Sequence, residues 1–292
     1  MRPGIILCAD DYALTPGVSQ AIRMLAAAER ISATGAIVTR PDWPLQADAL
    51  KPLVSSLATG LHLNFTLGAP LDRESRLTRT GLFPRLPMLI AKAFTGKLDP
   101  AAIGAEIEHQ LDAFEAGLGA PPDFVDGHEH VHVLPVIRPA LLAILKRRYG
   151  GKTLLVRDPS PSFAQIFQRQ SPAFKSFVLR VLSRGMRLDI ESQGFVSNDS
   201  FGGITAFASD TASVAADFAA ASAAEGWRPL VMCHPGFPDA ELARIDPITT
   251  RRQTEFDVLM RQPPVMLNVW RPVRSPSGAV LWPVPAVLGA TS

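Results

Sequence analysis

Three of the six histidines in this 292-residue chain lie close together, at His128, His130 and His132. Alternate residues of an extended strand point to the same side, so these three side chains could share one face unless a turn after His128 breaks the pattern. Neutral imidazole is the commonest side-chain metal ligand near neutral pH, and the apolar pair Phe124-Val125 before the cluster indicates the end of a strand. The spacing predicts a metal site at that strand's carboxyl edge, although an exposed loop with incidental metal affinity would look the same.

Two adjacent acids, Asp10 and Asp11, follow the apolar run that begins the chain. At the carboxyl edge of a strand, one such carboxylate can bind a metal while the other accepts a proton from water. Asp is also common where a turn begins, so this pair taken alone is better explained by a turn ahead of a helix.

Two further histidines occupy comparable positions. His62 lies within an apolar strand, where a single histidine is more often a hydrogen-bonded core residue than a ligand, and His234 directly follows the apolar run at 230–233. Each position is weak support by itself. Because the carboxyl ends of parallel strands meet at one edge, the repeated occurrence of Asp or His at such ends favours one shared site.

The elements that must position these residues alternate along the chain. Short apolar runs typical of strands are separated by helical patterns, which predicts an α/β fold with six to eight mostly parallel strands covered by helices. Asp-Pro and Thr-Pro pairs, which favour helix starts, predict helices at 15–29, from residue 99 and at 246–259. A strand is predicted at 264–267 and rim loops at 77–87 and 198–203. The segment 167–188 has an apolar face beside basic residues, as an amphipathic helix would. Such a helix covers the fold, forms a dimer contact or lies on a membrane surface.

Composition narrows the classes of function. The 29 Lys and Arg against 27 Asp and Glu give a net charge of +2, so no nucleic-acid partner is indicated. Cys8 and Cys233 are too few for a disulfide framework, which favours a reducing, cytoplasmic setting. We expect no signal peptide and no integral membrane segment. The length suits a single domain over 1–292, with 271–292 as a C-terminal extension, and a homodimer is plausible.

Several segments together resemble the YdjC/ChbG-type carbohydrate deacetylases, in order and approximate spacing up to about residue 260. The segments are Ala9-Asp10-Asp11, Gly60-Leu61-His62-Leu63, Asp126-Gly127-His128-Glu129-His130-Val131-His132 and Met232-Cys233-His234-Pro235. After the two acids, this chain has Tyr12-Ala13 where that family usually has Phe-Gly. This difference falls at the expected floor of the pocket and does not alter the expected metal ligands.

The resemblance implies a distorted (β/α) TIM-like barrel that removes N-acetyl groups from amino sugars or oligosaccharides with the help of one divalent metal ion. It implies magnesium, whereas two histidines and one carboxylate favour zinc, manganese or iron. The resemblance implies the metal ligands Asp11, His62 and His128, the base Asp10, and His234 as acid or electrostatic partner, with His132 lining the site. We also expect His132 and Arg157 to contact the substrate.

Two other functions share the same residue types. A metal-dependent phosphoesterase also uses Asp and His ligands, but two-metal enzymes of that kind need more ligands than the single clear set seen here. A sugar-binding barrel without catalysis is the other alternative. The presence of both a ligand set and a candidate base favours the hydrolase.

Overall fold

The computed structural model describes residues 4–78, 80–151, 153–161, 173–205, 208–222, 226–261 and 268–284. Its centre is one sheet of seven parallel strands in the order β5-β4-β3-β2-β1-β7-β6. The strands are β1 (Ile6–Tyr12), β2 (Ala33–Ala36), β3 (Ala58–Leu63), β4 (Phe124–Gly127), β5 (Leu155–Val156), β6 (Ser200–Gly202) and β7 (Pro229–Cys233).

Helices follow most strands and cover the sheet. Those in the described ranges are α1 (Pro16–Ala27), α2 (Trp43–Leu50), α3 (Leu86–Phe94), α4 (Pro100–Leu118), α5 (Ile137–Tyr149), α6 (Ala173–Leu182), α7 (Met186–Ser192), α8 (Thr211–Ser222), α9 (Leu242–Ile245) and α10 (Thr250–Arg261). Two short 3₁₀ segments, Lys51–Leu53 and His128–Val133, complete the set.

The sheet curls into the distorted (β/α) barrel that the sequence predicted. All six strand pairings are parallel. Beyond the edge strand β5, Leu155 forms an isolated parallel bridge to Val196, shortly before β6. Every residue of β1 is buried, because β1 lies inside the sheet between β2 and β7. The site residues of β1 are therefore held by strands on both sides.

Two of the predicted helices begin where the sequence places them, and for the expected reason. The Thr15 side chain accepts a hydrogen bond from the Val18 backbone N–H, and Pro16 occupies the first turn of α1. Asp99 likewise accepts from the Ala101 N–H at the start of α4. These caps satisfy backbone donors that a helix leaves free at its start. The α4 helix ends at Gly119, whose φ of 73° suits glycine.

Two sequence predictions were wrong. The Asp246-Pro247 pair does not begin a helix: α10 starts only at Thr250, although the Asp246 carboxylate accepts the Ile248 N–H and also binds Arg252. The segment 198–203 contains strand β6 and is not wholly a loop. The strand predicted at 264–267 lies outside the described residues, as do residues 167–172 of the amphipathic segment. The rest of that segment forms α6 and part of α7.

The C-terminal residues 268–284 lie against the amino-terminal ends of the strands. The backbone of Ile5 exchanges hydrogen bonds with Asn268 and Trp270, and the Arg274 guanidinium binds both carboxylate oxygens of Asp123. This segment therefore closes the face opposite the candidate site. In the ranges that the structure describes, no helix has both the length and the apolar character required to cross a bilayer.

Candidate metal and hydrolytic site

The predicted site residues meet at the carboxyl edge of the sheet, around a cavity of about 270 Å³. Asp10 and Asp11 come from β1 and His62 from β3, while His128 and His234 directly follow β4 and β7. All five line the cavity, together with Glu129, His130, Asp246 and Arg252 among others. The fold therefore brings residues that are far apart in the sequence to one cavity.

Asp11, His62 and His128 form a compact set of metal-type donors. The Oδ1 atom of Asp11 lies 2.9 Å from Nδ1 of His128 and 3.4 Å from Nε2 of His62. Each residue offers one ligand atom within 4.8 Å of the others. Asp11 has a φ of 69° in a stretch where the register between β1 and β2 shifts, which turns its carboxylate toward both imidazoles. Three convergent N and O donors fit one divalent cation.

Asp126 fixes the orientation of His62. Its Oδ1 lies 2.7 Å from Nδ1 of His62, so this nitrogen donates the hydrogen bond and Nε2 is directed at Asp11. Burial alone would lower the pKa of His62, but the negative charges of Asp126 and Asp10 outweigh it and raise the pKa to about 10. Gly35 of β2 makes room for this pair, since a Cβ there would lie 3.2 Å from His62 Nδ1 and 3.3 Å from Asp126 Oδ1.

Asp10 is held by a buried arginine. Arg157 directly follows β5, is fully buried, and donates from Nη1 and Nη2 to the two carboxylate oxygens of Asp10 at 2.6 and 2.7 Å. Its Nη2 also lies 2.6 Å from Oδ2 of Asp126. Burial alone would raise the pKa of Asp10, but the charge and hydrogen bonds of Arg157 outweigh it and keep the pKa well below its ordinary range. Asp10 is therefore a carboxylate at neutral pH.

The second oxygen of Asp11 binds another buried arginine. Arg252 of α10 donates from Nη2 to Asp11 Oδ2 at 2.6 Å, and from Nε and Nη2 to Asp246 at 3.0 and 2.6 Å. Burial would raise the pKa of Asp11, yet Arg252 and then His128 hold it well below the ordinary value. One oxygen of Asp11 thus faces the histidines while the other is fixed to Arg252.

His234 is positioned through its backbone. Its N–H donates to Oε2 of Glu255 at 2.6 Å, and Arg251 binds the other oxygen of that carboxylate. The imidazole lines the cavity beside Asp10 and Asp11. Burial lowers the pKa of His234 in spite of these nearby carboxylates, so the ring is neutral near pH 7 in the free site.

The three clustered histidines do not share a face, contrary to the strand argument. The strand ends at Gly127, and Glu129 and His130 have φ values of 52° and 60°. This turn sends His128 to Asp11, leaves His130 on the cavity wall and buries His132 completely. The Nε2 of His132 donates to the Arg157 carbonyl. Neither His132 nor Arg157 lines the cavity, so the structure places both behind Asp10 rather than against a substrate.

Sequence reasoning missed Asp126, Asp246, Glu255 and Arg252. Asp126 stands at a strand end next to the histidine cluster, a position that could have identified it. The others belong to the segment around α10, where Arg252 and Glu255 look like ordinary exposed charges of a polar helix. Only the fold shows that Arg252 and Glu255 are each about 3% exposed and reach the site.

Together, the fold and the site define a (β/α)-barrel protein with a candidate metal centre at the carboxyl edge of its sheet. The chain belongs to the YdjC-like protein family, whose model matches residues 4–264.

Relatives from two species are similar in sequence to part of this chain. Chitooligosaccharide deacetylases of Yersinia pestis (strain Pestoides F) and Yersinia pseudotuberculosis serotype O:1b are each 32% identical over 149 residues. The matched region covers 51% of this chain and 58% of each relative. A solved structure from Enterococcus faecalis V583, of a protein named for cellobiose-phosphate cleavage, has a TM-score of 0.68 and 23% identity over 92% of this chain and 97% of its own. That likeness concerns the fold.

Proposed function

We propose that this protein is a metal-dependent carbohydrate deacetylase that hydrolyses the N-acetyl amide of an amino sugar or oligosaccharide. The observation that carries the proposal is the meeting of Asp11, His62 and His128 in one cavity, with Asp10 and His234 beside them. Membership of the YdjC-like family supports it, as do the deacetylase names of relatives that match about half of this chain.

One divalent ion fits the donor set of Asp11, His62 and His128. Such an ion supplies polarisation of the amide carbonyl and makes water more acidic. Two imidazoles and one carboxylate suit zinc or manganese, whereas the resemblance of the sequence to the deacetylase family favours magnesium. Metal analysis of protein purified without a chelator distinguishes these ions.

Asp10 is the proposed general base. It is ionised, lines the cavity and lies next to the ligand Asp11 along β1. A base with a low pKa accepts a proton with little driving force. We therefore assign Asp10 the task of orienting water and receiving its proton as the carbonyl is attacked, with Arg157 fixing the direction of the carboxylate.

His234 is the proposed acid for the departing amine. Its lowered pKa means that it is neutral before the reaction, so it must gain a proton before it can donate one. Asp10 and His234 line the same cavity, which lets a proton taken from water be passed to the leaving nitrogen. The amine then departs protonated, and acetate is the second product.

A two-metal phosphoesterase is the weaker candidate. Among the described residues, a second group of metal-type side chains consists of Cys8, Asp10 and Asp126. The Arg157 guanidinium contacts both of those carboxylates, and burial raises the pKa of the Cys8 thiol well above its ordinary value. A cation bound to both carboxylates there would have to displace that buried guanidinium, so the geometry favours a single metal.

The deciding experiment measures acetate and phosphate release by the metal-loaded protein. The substrates are N-acetylated monosaccharides, N-acetylated oligosaccharides and a phosphate monoester, each tested before and after chelation. We expect acetate release that chelation abolishes. Phosphate release would favour the phosphoesterase, and no release with any sugar would favour a binding protein without catalysis. The cytoplasmic setting and the homodimer stay predictions of the sequence.

A further inference from the structure

An apolar groove adjoins the cavity of the candidate site. Its volume is about 220 Å³, and most of its wall consists of aliphatic side chains. Among them are Leu86 and Ile90 of α3, Val133 and Leu134 after β4, and Val178 and Leu182 of α6. In the part of the chain that the structure describes, the polar residues of this wall are Glu129 and His130. Both of them also line the cavity, so the rest of the groove is aliphatic.

The boundary between the groove and the cavity lies at the protein surface. Leu86, Glu129 and His130 line both spaces. The turn that directs His128 toward Asp11 also sets Glu129 and His130 at this boundary. Glu129 is exposed, and Leu86 and His130 are half-buried. A ligand that fills the cavity can therefore extend over these side chains into the groove.

Two helices form much of the groove. Leu86 and Ile90 are four residues apart on α3, and Val178 and Leu182 are four residues apart on α6. Residues at this spacing lie on one face of a helix. All four side chains are only half-buried. An apolar group placed between them would remove apolar surface from water, which is favourable.

The chemistry of the wall favours an aliphatic group over a second sugar ring. Every hydroxyl of a sugar needs a hydrogen-bond partner, and its burial without one is costly. Leucine, isoleucine and valine side chains provide no such partner. An alkyl group has no polar atoms to satisfy and gains free energy from the same burial.

We propose that this groove binds an aliphatic group attached to the anomeric carbon of the N-acetylated amino sugar. In a 2-amino sugar that carbon is bonded to the carbon that carries the acetamido nitrogen. A group attached there stays near the cavity when the amide lies at Asp11, His62 and His128. The inference rests on the proposed deacetylase function and names its substrate class, an amino sugar with an apolar aglycone. Because the groove holds this aglycone equally before and during the reaction, it should lower KM and leave kcat nearly unchanged.

The test compares acetate release by the metal-loaded protein from the methyl and octyl glycosides of N-acetylglucosamine. The octyl glycoside is kept below its critical micelle concentration. We expect its KM to be lower by at least about tenfold, a gain that burial of about two methylene groups supplies. Val178→Asp places a charge in the groove and should abolish this advantage. Ile90→Gln is the second variant should the aspartate variant fold poorly.

The matched control is Val181→Asp. Val181 belongs to the same helix but is 56% exposed and does not line the groove, so its variant should keep the octyl advantage. Equal KM values for the two glycosides in the unaltered protein would overturn the inference, as would an advantage that survives in both groove variants. Failure of the proposed function is distinguishable, because neither glycoside would then release acetate. Calorimetry with the same two glycosides would still test the groove.

A contact between two copies of the chain is the competing use of this groove. Sedimentation velocity of the unaltered protein and of Val178→Asp, at the assay concentration, separates the two. We expect the same molecular mass for both proteins. A dimer that dissociates in Val178→Asp but not in Val181→Asp would assign the groove to self-association and overturn the inference.

Discussion

Arg157 contacts both carboxylate oxygens of Asp10, at 2.6 and 2.7 Å, yet only Asp10 lines the cavity. The arginine is fully buried and also reaches Asp126, which orients His62. One guanidinium therefore links the candidate base to the second layer of the candidate metal site. Removal of one partner from such a buried ion pair leaves an uncompensated charge, which destabilises the fold.

Asp10→Asn should separate catalysis from metal binding. Asparagine keeps the size of the side chain but cannot accept the proton from water. Turnover should fall by about 10²–10⁴-fold, the usual contribution of general acid–base catalysis, while one metal ion per chain is retained. Acetate release and metal content should be measured on the same preparation. Replacement of the candidate ligand in His128→Ala should remove the metal, and an equal loss of metal in Asp10→Asn would refute this division of roles.

Arg157→Lys should shift the pH dependence of activity. Arg157 lowers the pKa of Asp10 against the opposing effect of burial. A lysine provides one compact charge in place of two parallel hydrogen bonds, so the pKa of Asp10 should rise. Asp10 would then become protonated at a higher pH, so the acid limb of the kcat/KM profile should shift to higher pH.

The control for this shift is Arg148→Lys. Arg148 pairs with acidic residues of α4, including Asp112 and Glu115, and does not line the cavity. Its replacement should leave the acid limb in place, since surface ion pairs contribute little. If both variants kept the original acid limb, Arg157 would have no influence on the base.

His132 should make the fold less stable in mild acid. Burial, together with the charge of Arg157, lowers the pKa of His132 from 6.5 to about 4. A second proton would be added at Nδ1, which is buried and has no hydrogen-bond partner among the described residues. Below pH 6.5 the unfolded chain binds a proton that the folded chain does not, so stability falls as the pH drops from 6.5 toward 4. The loss is about 3 kcal/mol by this linkage.

Urea unfolding at several pH values measures this effect. His132→Asn should be less stable near neutral pH, because the hydrogen bond to the Arg157 carbonyl is altered, but its stability should vary less between pH 4 and 6.5. An equally steep decline in the variant and in the unaltered protein would show that another group is responsible.

Gly35→Ala should weaken metal binding without touching a ligand. Its Cβ would press on the His62–Asp126 pair, and changes in such outer contacts typically cost about 10–100-fold in metal affinity. Gly104→Ala is the matched control. Gly104 lies within α4, where a Cβ meets only Ile144 at 3.9 Å. That variant should gain about 1 kcal/mol of stability and bind metal normally. Equal metal affinities would contradict the proposed crowding at Gly35.

Much of the fold could be predicted because local signals and tertiary structure agree. Thr15-Pro16 and Asp99-Pro100 begin helices whose apolar faces pack on the sheet, and the apolar run at 230–233 is a buried strand. Asp246-Pro247 carries the same signal, and Asp246 accepts the Ile248 N–H as Asp99 accepts the Ala101 N–H. The helix nevertheless starts only at Thr250, so a capping bond alone does not fix a helix start.

The candidate site was predictable in its ligands but not in its supporting residues. The family resemblance marked Asp11, His62 and His128 as candidate ligands, and the fold brings them together. A turn after His128 was the open alternative to a shared face, but the positive φ values of Glu129 and His130 have no clear sequence signal in residues other than glycine. The positions of Arg157 and Arg252 depend on which helices and strands pack together, which local sequence does not encode.

The most direct test of the account is a calorimetric titration of chelator-stripped protein with zinc, manganese and magnesium. One ion per chain should bind to the unaltered protein and to Asp10→Asn. Binding should be lost in each of Asp11→Ala, His62→Ala and His128→Ala, while all five proteins keep the same circular dichroism. Undiminished binding in any of the three ligand variants, or no binding by the unaltered protein, would contradict a metal centre at these residues.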